Sequence, residues 1–376
     1  MLEVMLYILY AVLLIVAAGM VRQLAFAMKH FIPPVYTREL GKEVDMPSVT
    51  VCIPARNEMH ALTECLESVI ASDYDRLEII VLDDVSGDDT SDLIKSYAHE
   101  GVRFVEGKAL PAGWLGKNHA LQGLLQHASG TYILYMDVDT RIAPNAVSNM
   151  VRYALSQRAA MVSVLPRRED GWRASVVFSP LRYFWEVIFH RKQSPATASS
   201  AWLIQRKVLT ERFNGFSDLK AAIQPESKLS AALSVTHEYR FLMSTQLFGV
   251  AYEKKWRSQL STSTRLLFPL LHYQVSLAIT ALIDLLAMII PAVIVAGSFF
   301  VVADWVHIMA VLISILFASI YGWYAKRVWS KGALLGSLLW PYLLLQEAVL
   351  VVASIVQYKR GSVEWKGRKI NLVAKD

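Results

Sequence analysis

Residues 5–20 (MLYILYAVLLIVAAGM) and 285–303 (LLAMIIPAVIVAGSFFVVA) contain no charged side chain. With their neighbours, both reach the roughly 17–25 apolar residues that a helix needs to cross a bilayer. No other feature constrains the chain as much, because backbone inside hydrocarbon must satisfy its own hydrogen bonds. Residues 305–325 and 332–346 are similarly poor in charge, and 54% of the 376 residues are hydrophobic. Arg22, Lys29 and His30 follow the N-terminal stretch instead of preceding it. That charge order describes a retained anchor with its N-terminus outside, rather than a cleaved leader. Spans at about 275–303 and 305–325 would form a hairpin returning to the cytoplasm at Lys326. The stretch 332–356 is interrupted by Pro341, Gln346 and Glu347, so it either crosses, re-enters or lies along the interface. A crossing would leave a basic C-terminus outside, and the charge rule favours a cytoplasmic one.

The net charge of +6 gathers beside these segments, at Lys326, Arg327, Lys331, Lys359, Arg360, Lys366, Arg368 and Lys369. This pattern suits anionic lipid headgroups and not nucleic acid. Between the apolar ends the sequence alternates strand and helix. "SVTVCIP" (48–54), "RLEIIVLDD" (76–84), "VRFVEG" (102–107) and Thr131–Met136 read as strands. "HALTECLESVIAS", "SDLIKSYAHE" and a stretch near Asn118–His127 read as the helices between them. Such alternation implies an α/β domain with a mostly parallel sheet covered on both faces. Cys52 and Cys65 are then free thiols acting as small hydrophobes in a reducing compartment. The expected organisation is an anchor and linker over 1–44, a cytoplasmic α/β domain over 45–265, membrane helices over 266–358 and a basic tail over 359–376.

Ligands of open α/β sheets bind beyond the carboxyl ends of the strands. There the first strand delivers "PARNE" (54–58), the second Asp83 and Asp84, and the fourth "DVD", with Asp137 and Asp139 one residue apart. Ser86 and Asp89 have capping-box spacing for the following helix, which leaves Asp83 and Asp84 for another task. A carboxylate acceptor suits a ribose diol or a base N–H. Two carboxylates on one side of a chain, completed by diphosphate oxygens, suit a hard divalent cation such as Mg²⁺ or Mn²⁺.

"VTVCIPARNE", "EIIVLDDVSGDDT", "LPAGWLGKNHALQGL" and "YILYMDVDT" resemble successive motifs of family 2 glycosyltransferases with the GT-A fold, a Rossmann-like nucleotide-sugar domain. The "GWLGKNHAL" form is most similar to membrane-anchored enzymes that glycosylate carotenoid and hopanoid lipids. "SVEWKGRKINL" (362–372) resembles the V-x-W-[K/R]-G-R segment ending that branch. The resemblance implies that Ala55 and Glu58 line a uridine pocket and that Asp83 and Asp84 contact uracil and ribose. It puts Lys117 near the nucleotide, a solvated loop lysine being the alternative. Asp139, assisted by Asp137, would hold the metal that bridges the donor diphosphate.

An inverting transfer to a hydroxyl needs a carboxylate base, and family members carry it in an E-D-x-x-L motif. Aligning Leu229 in "GFSDLKAAIQPESKLSAAL" puts Glu226 in the place of that Asp and Pro225 before it, with Asp218 as fallback. The Q-x-x-R-W motif of processive polysaccharide synthases is missing, which argues against a translocated polymer. Trp202 and Trp256 are candidate acceptor contacts; for Trp256 an interfacial anchor is the alternative. The aromatics of "LRYFWEVIFH" (181–190) read as helix packing or as a surface for a lipid tail. The implied activity is single-sugar transfer from a nucleotide-sugar, expected to be UDP-linked, to a lipid at the cytoplasmic face of the plasma membrane. The alternatives are transfer to a polyprenyl phosphate, or an impaired membrane protein that only binds the nucleotide-sugar.

Overall fold

The computed structural model describes residues 1–34, 45–169, 177–253, 255–297 and 304–369. The chain forms two compact units, an α/β unit of residues 31–168, 190–253 and 364–376, and a helical unit of 1–30, 169–189 and 254–363. Residues 177–189 thus group with the candidate membrane helices, and tail residues 364–369 group with the sheet. The linker 35–44 and the end of the tail motif, 370–372, lie outside the described residues.

In the α/β unit, β-branched and aromatic runs form strands β1 (Val49–Ala55), β2 (Leu77–Asp83), β3 (Val102–Glu106), β4 (Tyr132–Met136) and β5 (Thr140–Ile142). They continue as β6 (Met161–Leu165), β7 (Arg167–Arg168), β8 (Ala201–Gln205), β9 (Tyr239–Met243) and β10 (Val250–Tyr252). Seven of them make one sheet in the order β3-β2-β1-β4-β8-β6-β9. It is parallel except where β8 runs between β4 and β6. Every residue of β4 and β6 is buried, as expected of strands covered on both faces. The helix Met59–Ile70 packs Leu62, Cys65, Leu66 and Val69 inward, and both cysteines are buried free thiols.

The strand order creates the crevice. The chain lays β2 and β3 to one side of β1 and then returns to put β4 on the other side. Connections leaving the carboxyl ends of β1 and β4 therefore diverge, which opens a ligand cleft at that rim. Ala55 is in register with Asp83, so "RNE" leaves the sheet level with the two aspartates of β2. With strands about 4.8 Å apart, β2 and β4, which flank β1, bring their terminal carboxylates within about 10 Å.

Among the described residues, the helical unit contains four helices long and apolar enough to cross a membrane: Glu3–His30, Val275–Gly297, Trp305–Val328 and Trp340–Lys359. Residues 298–303, read above as part of a span, lie outside the described residues. The interrupted stretch divides into a short helix Ala333–Leu338 and the helix Trp340–Lys359. Pro341 sits in the latter's first turn, where its missing N–H is harmless. The aromatics of 181–190 split between roles. Phe184 is buried among Tyr321, Tyr324 and Trp340, with ring centroids 5.3–5.5 Å away, whereas Phe189 is exposed.

Candidate active site

The carboxyl end of β2 turns sharply at Val85, whose φ of 56° lies in the left-handed region. A β-branched residue there costs about 1–3 kcal/mol and persists only where its surroundings impose it. Here Arg56 imposes it, donating from Nη1 to the carbonyls of both Asp84 and Val85. The turn separates the fates of the two aspartates. Asp83 accepts from the hydroxyl and backbone N–H of Ser86, so its carboxylate braces the turn. Ser86 in turn accepts from the N–H of Asn57. The capping box expected of Ser86 and Asp89 does not form; Asp88 accepts from the N–H and hydroxyl of Thr90 instead. Asp84 points into the rim and is 2% exposed. Burial pushes its carboxyl above the usual carboxylate range, opposed by the nearby guanidiniums of Arg368 and Arg56. Ala55 has its side chain buried and its carbonyl occupied by the Asp84 N–H at 2.8 Å, so it shapes the strand end and offers no free group.

The motif "GWLGKN" begins the helix Gly116–His127. Its N-terminus lies against both acidic pairs. An added Cβ on Gly116 would meet Asp84 Oδ2 at 3.3 Å, and Lys117 Nζ donates to Asp137 Oδ1 at 2.6 Å. Lys117 is therefore an ion-paired helix residue and not a solvated loop lysine. Asn118, fully buried, donates to the carbonyls of Leu219 and Ala222 at 2.7 and 2.8 Å. Leu115 N–H bonds the carbonyl of Lys220 at 2.8 Å. The motif thereby fixes the segment that leads into the helix Pro225–Val235.

In "DVD", Val138 is buried between two half-buried aspartates, in a turn closed by the Thr140 N–H on the Asp137 carbonyl at 3.0 Å. Asp137 N–H bonds the Ser200 carbonyl, and Asp139 accepts at its carbonyl from Glu253 N–H, which holds the turn from both sides. Among the described residues no group of three or more His, Cys, Asp or Glu is arranged to hold a metal. Asp137 and Asp139, one residue apart, have the donor chemistry for Mg²⁺ or Mn²⁺ nonetheless, because such ions commonly bind one or two protein carboxylates plus substrate phosphates.

The tail supplies residues that sequence reasoning missed. A two-strand hairpin, β11 (Glu364–Trp365) and β12 (Arg368–Lys369), lies on the rim. Arg368 Nη1 bonds Asp84 Oδ2 at 2.6 Å and Nη2 bonds the Asp84 carbonyl at 3.3 Å. Lys366 Nζ pairs with Glu58 Oε1 at 2.7 Å, and Arg56 Nε bonds the Lys366 carbonyl. These two basic residues, read above as lipid-facing, bind carboxylates. His119 joins the cluster: burial lowers its pKa, with the charge of Asp84 opposing.

Glu226 is 3% exposed in the first turn of its helix, with Pro225 at the N-terminal position; Asp218 is exposed on a short 3₁₀ turn. Trp202 is not a cleft residue. It is 1% exposed, stacked on Tyr135 at 4.4 Å and packed on Phe216; a bulky residue at that β8 position fills the sheet core. Trp256 belongs to the helical unit, 5.0 Å from the ring of Phe178 and beneath the guanidinium of Arg257.

Residues 50–213 match the model of glycosyl transferase family 2. A 4,4'-diaponeurosporenoate glycosyltransferase of Staphylococcus aureus strain bovine RF122 / ET3-1 is 32% identical over 121 residues, 32% of this chain and 32% of the relative. Its counterpart in strain USA300 is 31% identical over the same length and shares. The chain thus spans about a third of the length of these curated relatives. Among solved structures, the mannosyltransferase PcManGT from Pyrobaculum calidifontis, in complex with GDP-Man and Mn²⁺, is similar with a TM-score of 0.52. It is 19% identical, covering 94% of this chain and 98% of that one. The sheet with its acidic strand ends is a GT-A fold, and residues 50–213 are similar to the glycosyl transferase family 2 domain.

Proposed function

We propose that the protein is a membrane-embedded inverting glycosyltransferase that moves one sugar from a nucleotide-sugar to a hydroxyl or carboxyl group of a membrane lipid. The observation that carries this reading is the convergence of Asp84, Lys117 and Asp137 on the first residues of one helix at the strand-order reversal. Asp84 and Glu58 have the acceptor chemistry for the nucleoside. The N-terminus of the helix Gly116–His127, with Lys117 in its first turn, is suited to the diphosphate, since its N–H groups and dipole favour negative charge. Asp137 and Asp139 would hold a divalent cation, which neutralises charge on the departing diphosphate.

Glu226 is the base of this reading. It takes the proton from an acceptor hydroxyl as that oxygen bonds the anomeric carbon and the carbon–phosphate-oxygen bond breaks, releasing the nucleoside diphosphate. Glutamate extends about 1.3 Å further than aspartate, one carbon–carbon step. The fixed segment 219–222 ahead of its helix is where such reach is compensated, because errors on the order of 1 Å cost about 100-fold. A lipid acceptor draws support from the apolar helices and from the carotenoid acid in the names of the Staphylococcus relatives.

The tail pairing bears on topology. Residues 364–369 bond Glu58 and Asp84, so they share a compartment with the sheet. An even number of crossings must then separate Glu253 from Glu364, although three candidate helices lie between them. Trp340–Lys359 is the one that does not cross. Its start touches Phe317 and Tyr321, in the second half of Trp305–Val328. Its end bonds the Arg265 carbonyl through Tyr358 and meets Tyr273, just before Val275–Gly297 begins. Both its ends thus lie towards one end of the Val275–Val328 hairpin. Lys326, Arg327, Lys359 and Arg360 then all face the cytoplasm, as the charge rule demands.

The test is transfer by the full chain in nanodiscs, supplied with Mn²⁺, a panel of UDP- and GDP-sugars and extracted polyisoprenoid lipids, with products read by mass spectrometry. One glycosylated lipid per active donor is expected. Binding of nucleotide with no product from any donor, or product only with polyprenyl phosphate, would overturn the reading.

A further inference from the structure

Asp84 is buried, yet only part of it is satisfied. Arg368 grips its Oδ2 and its backbone carbonyl, whereas Oδ1 is buried with no hydrogen-bond partner among the described residues. A buried carboxylate oxygen left without a donor costs free energy unless something supplies one. Lys366 on Glu58 fixes the same hairpin a second time, and Trp365 lies 2.9 Å from the position a Cβ on Gly116 would take. The tail thus reaches the two carboxylates with nucleoside-binding chemistry from about 280–310 positions away in sequence.

We infer that the C-terminal hairpin is a wall of the donor pocket and that Arg368 is a positioning residue. By holding Oδ2 it aims Oδ1 of Asp84 at an N–H or O–H donor of the bound nucleoside. This rests on the donor reading above and adds to it a residue that only the fold brings to the site. A tail that merely plugged the pocket would satisfy both oxygens of Asp84. Arginine is required because its planar fork reaches the carboxylate and the carbonyl together; a lysine offers one point charge.

The experiment uses the full chain in nanodiscs with UDP and GDP as probes, measured by calorimetry, alongside steady-state transfer kinetics. Arg368→Ala should weaken binding of the preferred nucleotide about 10- to 100-fold, the factor expected when a hydrogen bond to a charged group is lost. Its KM for donor should rise by a similar factor while KM for the lipid acceptor stays put. Arg368→Lys should fall between Arg368→Ala and wild type, which shows that the effect follows the fork and not the integrity of the fold. Unchanged affinity in both variants would overturn the inference while leaving the donor reading intact. Tighter binding in Arg368→Ala would overturn it in favour of a plug. If wild type binds neither nucleotide, the donor reading falls and this inference with it.

Discussion

Gly116→Ala sets two effects of opposite sign against each other. Gly116 is a buried helix residue without a positive φ, so alanine is conformationally acceptable and favours the helix by up to about 1 kcal/mol. The added Cβ would stand 2.8 Å from Arg368 Nη1 and 2.9 Å from Trp365, with Asp84 Oδ2 at 3.3 Å. Contacts between heavy atoms settle near 3.5–4.0 Å, so both tail side chains must retreat by roughly 0.6 Å or more. The Arg368–Asp84 bond, 2.6 Å long, then stretches beyond the range of a charged hydrogen bond. Losing it forfeits about 1.5–3 kcal/mol of tail attachment, more than the helix gains. Thermal unfolding should therefore come slightly earlier, while hydrogen exchange over residues 364–369 accelerates about 10- to 100-fold and nucleotide affinity falls. Undiminished tail protection in Gly116→Ala would refute the packing argument.

Three further outcomes follow from the same geometry. Asp84 has a raised carboxyl pKa, so its contribution to stability is present in acid and is lost as pH rises through the folded value. Arg368→Ala raises that value further, and its deficit in unfolding free energy, on the order of 3–5 kcal/mol at most for a buried unpaired charge, should be widest near pH 7 and shrink on acidification. A deficit that grows in acid would contradict the assignment. Glu226→Gln should reduce transfer to hydroxyl acceptors about 100- to 10,000-fold with donor KM little changed, while Asp218→Asn stays near wild type; transfer to a carboxylate acceptor should survive Glu226→Ala. Finally, a fluorescent protein fused after Asp376 should fluoresce in the cytoplasm and an alkaline phosphatase there should be silent, the reverse pattern placing the helix Trp340–Lys359 across the membrane.

Much of this arrangement is legible in the sequence because it is local. Strand runs ending in "PARNE", "DD" and "DVD" read directly as acidic rims, since a parallel sheet aligns all carboxyl ends. Pro225 announces a helix start and is found at one. Contacts distant in sequence are not legible. Lys366 and Arg368 look like headgroup-binding cations because their neighbours are membrane helices, and nothing nearby in sequence reveals Glu58 and Asp84 as their partners. Trp202 misleads for the opposite reason: the apolar run "AWLI" already marks a buried strand, and an aromatic inside such a run is core before it is a sugar platform. Ser86 fits a capping pattern, but Asp83 lies three residues behind it and competes successfully for its hydroxyl.

The most direct measurement is a cryo-electron microscopy map of the full chain in nanodiscs with the preferred nucleoside diphosphate and Mn²⁺. The account predicts base and ribose density against Asp84 and Glu58, diphosphate at the start of the helix Gly116–His127, and a metal peak between it and Asp139. Nucleotide density away from the ends of β1, β2 and β4, or a metal peak remote from Asp137 and Asp139, would contradict it.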